Sequence, residues 1–149
     1  MLEFRAAASH LCGVELKFGI VCDAANVDAS GKLNILGVFD TIMGREAPVR
    51  RPSFTLVLRM EAPSIEGTTH QVAIRLVDAD GNSLIEASLG EGVVFRQTGP
   101  GRPLRAQVLA PMEGLTFPNF GDYEFHVVVN GSSLGAIPIY VQEAPTKTA

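Results

Sequence analysis

The chain has 149 residues, of which 46% are hydrophobic and 19% charged, and carries a formal net charge of −4. This length fits one domain with enough interior to fold without a metal or disulfide, and the composition excludes a disordered chain. The mild acidity offers no clustered positive field for phosphates, so no nucleic-acid partner is expected. Two cysteines, Cys12 and Cys22, are too few for a disulfide framework. No run of about eighteen apolar residues is present, so no membrane-spanning helix and no membrane partner are expected. The first residues lack the apolar centre of a secretory signal, and the expected compartment is the cytoplasm.

Residues 1–13 follow no alternation and are broken by Glu3, Arg5, Ser9 and His10. They are expected to be a disordered extension. Period-two alternation begins at Val14 and runs through Leu16, Phe18, Ile20 and Cys22, which predicts a half-buried strand. A polar turn is expected over residues 23–31. Residues 32–43 read as one strand, with Ile35, Gly37 and Phe39 on one face and Leu36, Val38 and Ile42 on the other. A strand apolar on both faces is expected to be central or covered, and Gly37 within it signals a bulge or a close backbone approach.

Residues 44–52 read as a loop carrying Arg45, Arg50 and Arg51. Phe54, Leu56, Leu58 and Met60 give the cleanest alternation of the chain, and Val72, Ile74 and Leu76 mark the next strand. Asp80-Gly81 predicts a tight hairpin turn with positive φ at both central residues, returning over 82–89. A short strand is expected over 93–97, and Leu104, Ala106, Val108 and Ala110 point inward from another. Residues 113–119 read as irregular. A last hairpin spans 122–143 and turns at Asn130-Gly131. The phases of Tyr123, Phe125, Val127 and Val129 against Ile137, Ile139 and Val141 favour a three-residue loop there. Pro138 lacks an N–H, so its strand is expected at a sheet edge. Residues 144–149 are expected to be a disordered tail.

These elements, about eight to nine strands without helical periodicity, predict an all-β antiparallel β-sandwich over 14–143, immunoglobulin-like or jelly-roll-like, in preference to a barrel. The expected core comprises Phe18, Ile35, Phe39, Leu56, Leu58, Ile74, Val108, Phe125 and Val127.

No catalytic set emerges. Gly131-Ser132-Ser133-Leu134-Gly135 matches the G-x-S-x-G spacing of hydrolases, but that chemistry needs a strand before the serine and a helix after it. Here a hairpin turn precedes a strand. Asp78-Ala79-Asp80-Gly81-Asn82 begins like a calcium loop, yet the positions for Gly and Glu hold Ser83 and Leu89. Asp23, Asn26, Asp28 and Asp40, with Asn34, are the candidate metal ligands, since loop oxygens at one end of a sandwich suit Ca²⁺. Such residues more often bond to their own backbone. His10, His70 and His126 have no metal-ligand spacing. Cys22 lies on an apolar phase, where a thiol is an inert small hydrophobe. Arg45, Arg50, Arg51, Arg96, Arg102 and Arg105 could gather into an anion site, but few aromatic residues accompany them.

The stretch Asp23-Ala-Ala-Asn-Val-Asp-Ala-Ser-Gly-Lys-Leu-Asn-Ile-Leu-Gly-Val-Phe-Asp40, with Phe120-Gly-Asp-Tyr-Glu-Phe125 much later, resembles a family of short uncharacterised bacterial proteins known only as a domain of unknown function. The resemblance runs from about Val14 to about Gln142. It implies a bacterial protein and supplies neither an activity, a cofactor nor site residues. Phe-Gly-Asp-Tyr before a strand also recurs in immunoglobulin-like sandwiches. The expected function is a non-catalytic binding or assembly module that meets a protein partner or itself. The alternative is a metal-dependent ligand binder or small enzyme centred on residues 23–40.

Overall fold

Period-two alternation commits Phe54, Leu56, Leu58 and Met60 to one face of β4 (Val49–Ala62). In the computed structural model, which describes residues 13–63, 67–89 and 92–145, this strand is the middle of a five-stranded sheet. On one side it pairs with β1 (Glu15–Val27), whose far edge carries β2 (Leu33–Phe39). On the other it pairs with β10 (Leu104–Phe117), followed by β9 (Arg96–Gln97). The second five-stranded sheet runs β3 (Thr41–Gly44), β12 (Ser132–Glu143), β11 (Gly121–Val129), β6 (Val72–Val77), β7 (Ser83–Ser88). A two-stranded ribbon joins β5 (Thr69–His70) to β8 (Val93–Val94). Neither sheet closes into a barrel, and the fold is an all-β sandwich.

Leu56, Leu58, Ile74, Phe125 and Val127 are buried between the sheets, as expected. The Phe54 and Phe125 rings meet across the interface with centroids 6.3 Å apart. Phe39 and Val108 are only partly buried at the margin of this core. Phe18 and Ile35 are not in it. They pack partly buried in a second cluster with Ile20, Cys22 and Val57.

The sandwich departs from the expected pattern where tertiary pairing overrides local signals. Residues 32–43 are not one covered strand: the chain leaves the first sheet at Phe39 and enters the second at Thr41. There β3 pairs parallel to β12, so the second sheet is mixed rather than antiparallel. Residues 93–97 divide likewise between β8 and β9. Arg50 and Arg51 belong to β4 rather than to a loop, and residues 113–117 continue β10 opposite them.

The two Gly turns exchange their expected lengths. At Asp78-Ala79-Asp80-Gly81-Asn82 the loop holds three residues, because the Asp78 carboxylate accepts the Asp80 and Asn82 amides and only Gly81 takes positive φ. At Asn130-Gly131 the loop holds two, both with positive φ, as a type I′ turn requires. The extra residue that the phases demanded is absorbed in β12, where the register shifts opposite Val127 and Val128. β12 is not the expected edge strand, because β3 lies beside it; Pro138 is accommodated since the parallel pairing with β3 begins only at Tyr140.

The sequence Phe120-Gly-Asp-Tyr123 closes a tyrosine corner. The Tyr123 hydroxyl donates to the Asn119 carbonyl at 2.7 Å and accepts the Asn119 amide at 3.2 Å, while its ring meets Phe117 edge-on. Tyr123→Phe removes only the hydroxyl and leaves a part-buried backbone pair without its partner. Denaturant titration should show a loss of about 1–3 kcal/mol at unchanged m-value.

Candidate functional site

The β1–β2 hairpin does not stay in the plane of its sheet. Its register is constant from Val21–Phe39 to Val27–Leu33, yet pairing lapses at Asp23 and Gly37. Gly37 has a φ of +69°, and a side chain there would fall on the Asp23 carboxylate. This is the close backbone approach of the two alternatives that Gly37 signalled. Beyond the kink the hairpin lies over the outer face of the first sheet. Its tip reaches β10, where the Gln107 side-chain amide approaches the Gly31 carbonyl at 3.4 Å. Beneath it Ala25, Leu33 and Ile35 cover Ile20, Cys22 and Val57. That layer is the physical reason Phe18 and Ile35 lie outside the main core.

The candidate metal ligands divide. Asn26, Asp28 and Asn34 come together at the hairpin tip, where Asn34 Nδ2 donates to Asn26 Oδ1 at 3.0 Å and to Asp28 Oδ2 at 3.3 Å. Asp28 Oδ1 accepts the Ser30 hydroxyl and the Ser30 and Lys32 amides at 2.6–3.0 Å. Asp23 and Asp40 do not join them. Asp23 pairs with Arg51 at 2.8 Å, and that guanidinium lies 4.6 Å over the Phe39 ring. Asp40 Oδ1 accepts the Thr41 hydroxyl, and its carbonyl accepts the Tyr140 amide at the crossover between sheets. Among the described residues, no group of three or more His, Cys, Asp or Glu is placed to hold a metal ion.

The remaining reactive side chains are held apart. Arg51 and Arg105 are each paired, with Asp23 and Glu61. Buried His70 accepts Asn130 Nδ2 at Nδ1 and donates from Nε2 to the Gly67 carbonyl, with Phe95 edge-on to its ring. Asn130 also binds the backbone of Gln71, so this network pins the last hairpin to the strand beside it. His126 lies half-buried, 3.5 Å from Glu124. His10 and Cys12 lie outside the described residues. Ser133 is exposed on β12, and no helix follows it among the described residues. The Cys22 thiol donates to the Ala24 carbonyl at 3.4 Å; burial pushes its pKa up, and the Asp23 charge adds to that.

What the kink leaves open is a strand edge. Four of the five large hydrophobic side chains exposed among the described residues, Val27, Leu36, Val38 and Met43, come from residues 27–43. Leu36 is 70% and Val38 62% exposed, although both read as interior positions in the sequence. Among the described residues, β2 has a strand partner on one side only, β1. A groove of about 400 Å³ runs between this edge and β12, lined by Ile20, Val21, Val38, Phe39, Ile137 and Pro138, with Asp40 at its end. Exposed backbone donors and acceptors beside apolar side chains are what an incoming strand uses.

Residues 17–142 match a family of unknown function, DUF6941. The chain belongs to this family. The match covers the sandwich strands and the kinked hairpin, and it assigns them no activity. No curated protein matches the chain. Among solved structures, the chain is similar to the Pseudomonas fluorescens alkylpurine DNA glycosylase AlkC bound to DNA containing an abasic site analog, at 14% identity and a TM-score of 0.46. The similarity covers 88% of this chain and 31% of that one. It corrects the expectation that excluded a nucleic-acid partner: a DNA-bound protein stands among the matches, and net charge does not exclude one, because a local cationic surface governs phosphate binding. At that TM-score the likeness carries no argument for DNA binding by this chain.

Two measurements check this geometry. Cys22 should resist alkylation at neutral pH in the native protein and react readily once denatured, since it is buried and held as the thiol. Asp28 and Asp78 hold turn amides and have pKa values below the ordinary carboxylate value, Asp28 chiefly through the Ser30 hydroxyl and Asp78 chiefly through the Asn82 amide. A depressed folded pKa contributes stability above the unfolded value, which is lost as pH falls through the folded one. Asp28→Asn/Asp78→Asn should therefore flatten the decline of melting temperature with acid below about pH 4.

Proposed function

We propose that this protein is a non-catalytic binding module that recruits a protein partner through the β2 edge. The observation that carries this reading is the exposure of Leu36 and Val38 on a seven-residue edge strand beside an apolar groove. A buried edge or a polar one would not support it. The described polar side chains add to the case, because their hydrogen bonds serve turns and strand packing rather than converging on a common point. Strand addition would take its affinity from main-chain hydrogen bonds and its selectivity from the side chains seated in the groove.

Immobilised full-length protein should retain a defined protein from native host lysate. Val38→Lys should lose it while keeping the circular dichroism and melting temperature of the parent, because Val38 is exposed and its replacement disturbs only the groove. Retention that Val38→Lys leaves intact, or no retention at all, would overturn the reading.

A further inference from the structure

Among the described residues, the β2 edge is guarded by the kink at Gly37 alone, without the charge or proline that usually keeps strand edges apart. Leu33-Asn-Ile-Leu-Gly-Val-Phe39 contains no charge and no proline. The other edges are shorter or charged: β3 has four residues, β9 has two and includes Arg96, and β7 carries Glu86. Charge appears only at the limits of β2, as Lys32 immediately before it and Asp40 immediately after it, both exposed.

That arrangement is self-complementary. The midpoint of β2 is Leu36. An antiparallel pairing of two copies about a two-fold axis at Leu36 sets Leu36 against Leu36, Asn34 against Val38 and Leu33 against Phe39. The same register sets Lys32 of each copy opposite Asp40 of the other, at both ends of the ladder. Shifting the register by one residue in either direction shortens the ladder and separates these charges. Ladder pairs of opposite charge stabilise a sheet, and like charges directly opposed destabilise it. The kink at Gly37 falls beside the axis, opposite Ile35 of the second copy, so it interrupts one pair in each half and leaves the centre and both ends.

We propose that the occupant of the β2 edge is a second copy of this chain, paired antiparallel about Leu36 so that the two kinked hairpins join strand to strand. The proposal rests on the binding-module reading and names its partner. It explains why Leu36 and Val38 face outward: both are exposed in one chain and come to lie beside the second chain when two meet. A two-fold contact uses the same patch on both copies, which is what a strand with opposite charges at its two ends supplies.

Sedimentation equilibrium of the full chain should show a reversible monomer–dimer exchange. Leu36→Lys places two ammonium groups together at the axis and should give a monomer with unaltered circular dichroism. Lys32→Glu opposes two carboxylates at each end and should weaken association about tenfold. Lys32→Glu/Asp40→Lys reverses both ends together and should restore it. A chain that stays monomeric at every concentration overturns the self-pairing, while the binding-module reading still stands or falls by retention of a different protein and its loss in Val38→Lys. A dimer that survives Leu36→Lys, or one that the double reversal fails to restore, overturns this register and with it the proposal.

Discussion

The close approach of Gly37 to Asp23 is the constraint on which the working surface of this molecule depends. Without a Cβ at residue 37 the two strands of the first hairpin can kink together while their register holds. The kink turns the hairpin tip back over its own sheet. One consequence is a second apolar layer, in which Ile20, Cys22 and Val57 are buried beneath Ala25, Leu33 and Ile35. Another is an open edge on the opposite side. A flat hairpin would have left Cys22 and Val57 facing solvent.

The ion pair between Asp23 and Arg51 reinforces this corner, since Arg51 also lies over the Phe39 ring. Both side chains are substantially exposed, so the pair is a modest contributor beside the apolar layer below it. Asp40 then directs the chain from one sheet to the other, with the Tyr140 amide on its carbonyl. Hairpin, kink and crossover thus lie within one continuous stretch of chain. The acidic residues that looked like ligands in the sequence are the joints of this stretch: Asp28 caps the tip, Asp23 supports the kink and Asp40 marks the crossing.

Two turns of similar composition show how local bonding selects geometry. Asp28-Ala-Ser-Gly-Lys32 and Asp78-Ala-Asp-Gly-Asn82 adopt the same arrangement, each aspartate accepting amides two and four residues ahead. Asn130-Gly131 lacks an aspartate two residues earlier and closes as the tighter form, with Asn130 itself in the left-handed region. The aspartate, rather than the glycine, separates the two turn lengths.

The sequence by itself determined the all-β class, the sandwich, most of the inner faces and the special place of Gly37. These are local properties: side-chain period, turn residues and the backbone freedom of glycine act within a few residues. Only the tertiary structure decided that residues 32–43 divide between two sheets, that β3 runs parallel to β12, and that Leu36 and Val38 face outward. An apolar residue reads the same in sequence whether it enters a core or stands at an edge, because the difference lies in which strands arrive beside it. For the same reason the candidate ligands could be named but not grouped. Their partners, Arg51 for Asp23 and Tyr140 for Asp40, come from strands distant in the chain.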